Sequence, residues 1–169
     1  MRRYMNLIGK NAKKASLKKI STKIKNKVLK RYASLLGKKK NSIIAANSKD
    51  IKFALKKGLK KNLIDRLTIN HKKLNDIKSS ISKIIKLKDP IDNTLEKWSR
   101  PNGLKIKRVS IPIGVIGVIY ESRPNVTSDV ASLCFKSGNA VILKGGSEAI
   151  NTNKILAKLF RKALKENKV

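Results

Sequence analysis

"VIGVIYESRPNVTSDVASLCFKSGNAVILKGGSEA", residues 115–149, is an apolar, glycine-punctuated stretch in a 169-residue chain of formal net charge +32. Two short β-branched runs, VIGVIY at 115–120 and AVILK at 140–144, bracket a segment of helical spacing. Val126, Val130, Leu133 and Cys134 recur at helical intervals, Pro124 suits an early helical position, and Gly138 suits the end. A crossover of this length predicts parallel strands, which read as continuous apolar runs because helices cover both faces. The stretch is expected to be a βαβ unit. A further helix follows over 147–166, with Ile155, Leu156, Leu159, Phe160 and Ala163 turned inward.

Upstream the grammar is different. Thirty of the 42 basic residues lie in residues 1–102, where the pattern is helical. Leu7, Ile8, Ala12 and Ala15 share one face, and Ile24, Val28, Leu29, Tyr32, Leu35 and Leu36 form a second stripe. Ser21 or Thr22 caps that second helix and Gly37 ends it. A third helix is expected from about Asn41 to Lys57, closed by Gly58, and LIDRL at 63–67 reads as a short helical turn. Leu74, Ile77, Ile81, Ile84 and Ile85 supply the face of another helix before Asp89-Pro90 stops it. From Pro101, an Asn-Gly turn signal followed by alternating Leu104, Lys105, Ile106 and Lys107 suggests an extended arm or edge strand.

The bulk numbers set limits. The length suits one ordinary domain, and no run approaches the roughly 20 apolar residues of a membrane-spanning helix. The basic start, MRRYMNLIGKNAKKASLKK, disperses its apolar residues among lysines, unlike a secretory signal. A cytoplasmic location is expected. Cys134, the single cysteine, excludes an intrachain disulfide and a multi-cysteine zinc site, and His71, the single histidine, has no metal-binding partner nearby; no metal is expected. The charge admits a polyanion-binding surface, but lysine outnumbers arginine 34 to 8 and aromatic residues are 4% of the chain. Nucleic-acid readers rely on arginine forks and aromatic stacking platforms. Compositional drift toward lysine on solvated faces is therefore preferred to a basic nucleic-acid-binding module, which stays as the alternative beside a non-functional remnant.

In an open α/β sheet, ligands bind beyond the carboxyl ends of the strands, here ESRPNVT and GGSEA. Gly145 and Gly146 let a ligand approach the backbone, the next helix offers its N-terminus to an anion, and Lys144 adds a charge. Neither GxGxxG nor the P-loop pattern is present, so the glycine pair alone is a weak phosphate signal.

The run RVSIPIGVIGVIYESRPNVTSDVASLCFKSGNAVILKGGSEAINTN, residues 108–153, closely resembles the gamma-glutamyl phosphate reductases, also called glutamate-5-semialdehyde dehydrogenases. Upstream, AAN..DI..A...GL...LIDRL between 45 and 67, DP at 89–90 and RPNGLKI at 100–106 also resemble that family, so the likeness covers essentially the whole chain. The resemblance implies an α/β fold of the aldehyde dehydrogenase superfamily, with a helical region over 1–100. The start of a Rossmann-like parallel sheet then follows over 101–169, as the first βαβα part of an NADPH-binding domain. It implies NADPH-dependent reduction of L-glutamyl 5-phosphate to L-glutamate 5-semialdehyde and phosphate in proline biosynthesis, and a homo-oligomer in the full-length family. In that family a cysteine thiolate attacks the acyl phosphate, splitting one difficult displacement into two easier steps.

Carried over residue by residue, Asn125 matches the motif asparagine that donates to the developing oxyanion; read without the family, it is equally a helix N-cap. Lys144 matches the lysine that contacts the adenosine ribose, and with Ser147 it suits a 2′-phosphate. Glu148 complicates this assignment, since a carboxylate there also suits ribose hydroxyls. Arg123 suits a substrate carboxylate or phosphate, or an ion pair with Glu121. Cys134 does not match the nucleophile: it lies on the helix between the strands, and its apolar spacing predicts a buried thiol. The nucleophile-bearing and oligomerisation domains are not expected within these 169 residues, and the chain by itself is expected to be inactive.

Overall fold

The computed structural model describes residues 2–169. Five helices come first: α1 (Arg2–Ser16), α2 (Thr22–Lys38), α3 (Lys40–Lys56), α4 (Lys61–Leu67) and α5 (His71–Lys86). Next are β1 (Thr94–Ser99), β2 (Lys105–Val109), β3 (Val115–Tyr120), α6 (Asn125–Lys136), β4 (Ala140–Gly145), a 3-10 turn over Ser147–Ala149, and α7 (Ile150–Glu166). β1 and β2 form an antiparallel hairpin, and β3 pairs with β4 in parallel.

Apolar stripes explain the helical packing. Val28, Leu29, Tyr32, Leu35 and Leu36 of α2 meet Leu74, Ile77, Ile81 and Ile84 of α5, and the same core takes in Leu156, Leu159, Phe160 and Ala163 of α7. Tyr32 and Phe160 meet edge to face at 4.8 Å, and Phe135 of α6 meets Phe160 likewise at 5.8 Å. Such geometry favours the positive ring edge over the negative face. α6 packs on β4 and α7, and α1 lies against β3 and β4. The parallel pair is only partly covered: its residues are half-buried at most, and Ile119 is 86% exposed.

Several local expectations are corrected. Ile24 is 39% exposed, and Lys25 takes the inward position instead, because its ammonium reaches Asp89 at 2.9 Å. Leu7 and Leu133 are exposed, and α1 buries no residue completely. Helix α2 continues one residue past Gly37 to Lys38, whereas α5 ends before Asp89-Pro90 as expected, at Lys86. The arm after Pro101 is the second strand of a hairpin whose first strand, Thr94–Ser99, lies upstream of residue 100. Its turn carries Gly103 at φ +81, a left-handed conformation that costs glycine little.

Candidate functional site

The register of the parallel pair decides what can meet. Ile119 lies opposite Lys144 and Tyr120 opposite Gly145, so both strands end at the same level. The segments 121–125 and 146–149 therefore leave the sheet side by side. This is the strand-end edge at which α/β sheets present ligands.

After β3, Ser122 is buried and adopts φ +47, an uncommon conformation for a residue with a side chain. Its backbone N–H donates to Glu148 Oε1 at 2.6 Å, and its hydroxyl lies 3.3 Å from the same oxygen. Pro124, fully buried, takes the cap position of α6, so Asn125 is the first helical residue rather than the cap. The Asn125 side-chain amide donates to Asp129 Oδ2 at 3.1 Å, one turn along. Burial raises the Asp129 carboxyl above the ordinary range, against the opposing Asn125 bond. Arg123 is exposed, and among the described residues no ion pair joins it to Glu121.

After β4, Lys144 is exposed and its ammonium donates to the Gly145 carbonyl at 3.1 Å. Ser147 is also exposed, whereas Glu148 turns back toward Ser122. The two glycines leave room for this chain's own side chains. A Cβ on Gly146 would lie 2.1 Å from Glu148 Oε1, and one on Gly145 would lie 2.2 Å from Asn153 Nδ2. Tyr120 and Thr127 share a 2.5 Å hydrogen bond behind Gly145, and the Thr127 hydroxyl donates to Asn153 Oδ1 at 2.9 Å. Burial raises the Tyr120 phenol, with Thr127 opposing.

The helix N-terminus expected to receive an anion already has one. Asp50 of α3, 1% exposed, accepts the backbone N–H groups of Asn151 and Thr152 at 3.1 and 2.7 Å. It also accepts the Thr152 hydroxyl at 2.6 Å and the Asn151 side-chain amide at 2.7 Å. A carboxylate at this position satisfies orphan donors and meets the positive end of the helix dipole. Asn47, one turn earlier on α3, donates to the Leu67 carbonyl and Thr152 hydroxyl and accepts from Ile69 N–H. This buried polar clamp joins the helical region to the parallel unit. Two polar residues at i and i+3 on a face shared with Ile43 and Ala54 were its available signal.

Cys134 is 7% exposed on α6, and burial pushes its thiol up. A nucleophile needs the opposite shift. His71 is exposed at the start of α5. Among the described residues no group of three or more His, Cys, Asp or Glu is placed to hold a metal, and no helix is long and apolar enough to cross a membrane.

The architecture is that of part of an aldehyde dehydrogenase. An acetylating aldehyde dehydrogenase from Geobacillus thermoglucosidasius superposes with a TM-score of 0.63 at 18% identity, over 94% of this chain and 32% of that one. Within this class the likeness is specific: the chain is homologous, over nearly all its length, to the amino-terminal part of gamma-glutamyl phosphate reductases. It is 46% identical over 166 residues to that of Persephonella marina, covering 97% of this chain and 37% of the relative. The crystal structure of the Thermotoga maritima reductase matches with a TM-score of 0.90 at 42% identity, over 93% of this chain and 38% of that one. The chain spans less than half the length of the relatives it matches. No family profile matches it.

Proposed function

We propose that this chain is the amino-terminal part of a gamma-glutamyl phosphate reductase that uses NADPH to reduce L-glutamyl 5-phosphate to L-glutamate 5-semialdehyde and phosphate in the cytoplasm, in proline biosynthesis. The observation that carries the reading is the strand-end edge, where the segments bearing Asn125 and Lys144 emerge level with each other. The complete protein is read as a homo-oligomer.

The residues present suit a phosphorylated cofactor at one end. Lys144 and Ser147 are both exposed beyond β4, an ammonium and a hydroxyl that suit a 2′-phosphate. The phosphate would be held by these side chains rather than by the α7 N-terminus, where Asp50 is seated. Glu148 is turned from that rim toward Ser122, which argues against its accepting ribose hydroxyls. NADPH, when bound, supplies the hydride.

Asn125 offers a neutral amide donor at the mouth of the edge. Its present acceptor, Asp129, is an i+4 neighbour, so a rotation at Asn125 exchanges that bond for one to an oxyanion. Arg123, exposed and free of Glu121, suits a carboxylate or phosphate of the substrate. The nucleophilic thiolate comes from the remainder of the complete protein, since Cys134 is a core residue.

The test is N125A in the complete protein. Loss of one oxyanion donor lowers kcat by about 100- to 1000-fold. Binding of NADPH is unchanged. A kcat equal to that of the parent protein would overturn the role of Asn125 and, with it, the functional reading of this edge.

A further inference from the structure

Glu148 is the residue at this edge whose bonding does not match the chemistry expected of it. A carboxylate beside Lys144 and Ser147 is expected to face solvent or a ribose, yet it folds back over Gly146 and accepts the Ser122 amide at 2.6 Å. Three features converge on that bond. Residue 146 is a glycine where any Cβ would lie within 2.4 Å of the Glu148 carboxylate. Ser122 holds φ +47 without being a glycine. Its side chain is buried and directs a second contact, at 3.3 Å, to the same carboxylate oxygen. The bond spans 26 residues and joins the two strand-end segments across the edge.

We propose that Glu148 is a positioning residue: by holding Ser122 in its left-handed conformation, it fixes the 121–125 segment and so the place from which Asn125 acts. The proposal rests on the reductase reading for its consequence in turnover, but not for the bond itself. Left-handed conformations of non-glycine residues persist where surrounding structure over-determines them, and they cluster at functional segments. Ser122 leads through Arg123 and the buried Pro124 directly into the first turn of α6. That short path leaves little slack between the latch and Asn125. Lys144 and Ser147 lie on the solvent side of the same turn, outside the latch.

The experiment compares E148A, E148Q and the parent in the complete protein. Hydrogen exchange of a peptide containing Ser122 reads the bond, and steady-state kinetics read its consequence. In E148A, the Ser122 amide exchanges at least about tenfold faster, as loss of its acceptor requires. kcat falls about tenfold while KM for NADPH stays within about twofold, the split expected of an interaction needed at the reacting end. E148Q keeps an acceptor oxygen, so it restores slow exchange and most of kcat. Equal exchange in parent and E148A would overturn the latch. Altered exchange with unchanged kcat would overturn the positioning role. A rise in KM for NADPH in both variants, with kcat intact, would return Glu148 to the cofactor. If the parent reduces no L-glutamyl 5-phosphate, the functional reading fails, and exchange still decides the latch. Should E148A fail to fold, slow exchange and high kcat in E148Q support the proposal, and fast exchange with full kcat in E148Q overturns it.

Discussion

At the scale of single residues, the most consequential side chain lies outside the candidate site. Asp50 is buried and accepts four hydrogen bonds from Asn151 and Thr152 in the first turn of α7, two of them from backbone N–H groups. Removing a cap typically costs about 0.5–2 kcal/mol, and orphaning further buried donors adds to that. D50A is therefore expected to destabilise the complete protein by about 2–4 kcal/mol, measured by urea unfolding. D50N, which keeps one acceptor oxygen, loses less. An effect within about 0.5 kcal/mol, the usual range for surface changes, would remove the clamp from this account. Asp50 was visible in the sequence only as part of a resemblance. Its acceptor role could not be read from local pattern, because the donors it serves come 101 and 102 residues later.

The β3–α6–β4 unit was legible because its physical demands are local. Its two strands are continuously apolar runs, and the helix between them shows its own period. The hairpin was half missed for the converse reason. Both of its strands are almost wholly exposed, so no buried face imposes alternation on Thr94–Ser99, and its Thr-Leu-Glu-Lys-Trp-Ser composition resembles a solvated linker. The two glycines after β4 mark positions of close approach in the sequence, and what approaches them is the chain itself. G146A is expected to act at the level of this turn. The new methyl displaces the Glu148 carboxylate, breaks its bond to Ser122, and reproduces the faster Ser122 exchange of E148A. Backbone at φ −66 tolerates alanine, so the turn itself survives. Unchanged exchange in G146A would show that the carboxylate finds another route to Ser122.

Across the whole molecule, the net charge of +32 makes each carboxylate a scarce counter-charge. Asp89 illustrates the consequence. It receives Lys25 at 2.9 Å and Thr22 at 2.7 Å, and it lies near Lys136, whose buried ammonium donates to Asn26 and the Ile85 carbonyl. Burial works to raise the Asp89 carboxyl, but Thr22, Lys25 and the Ile91 N–H together hold it below the ordinary value. The folded value is thus lower than the unfolded one. Its stabilising contribution is present in full above the unfolded pKa of about 3.9 and is lost as pH falls through the folded value. The stability difference between parent and D89N is accordingly constant from about pH 6 to 8 and shrinks below about pH 4, measured by denaturant unfolding at each pH. A difference that persists undiminished in acid would mean that Asp89 acts through packing alone.

The same scale explains the lysine content. The buried core retains Val, Leu, Ile and aromatic side chains, and lysine fills the outward faces of α1 to α5. Lys25 and Lys136 are buried exceptions, and both have partners.

In the proposed reading, these 169 residues supply one side of a reductase cleft completed by residues elsewhere in the protein. The most direct test of that reading is NADPH oxidation on addition of L-glutamyl 5-phosphate, with phosphate release followed in parallel, for the complete protein and for the 169-residue chain alone. The complete protein is expected to oxidise one NADPH for each phosphate released, and the chain alone to oxidise none. Substrate-dependent turnover by the isolated chain, or none by the complete protein, would contradict the account.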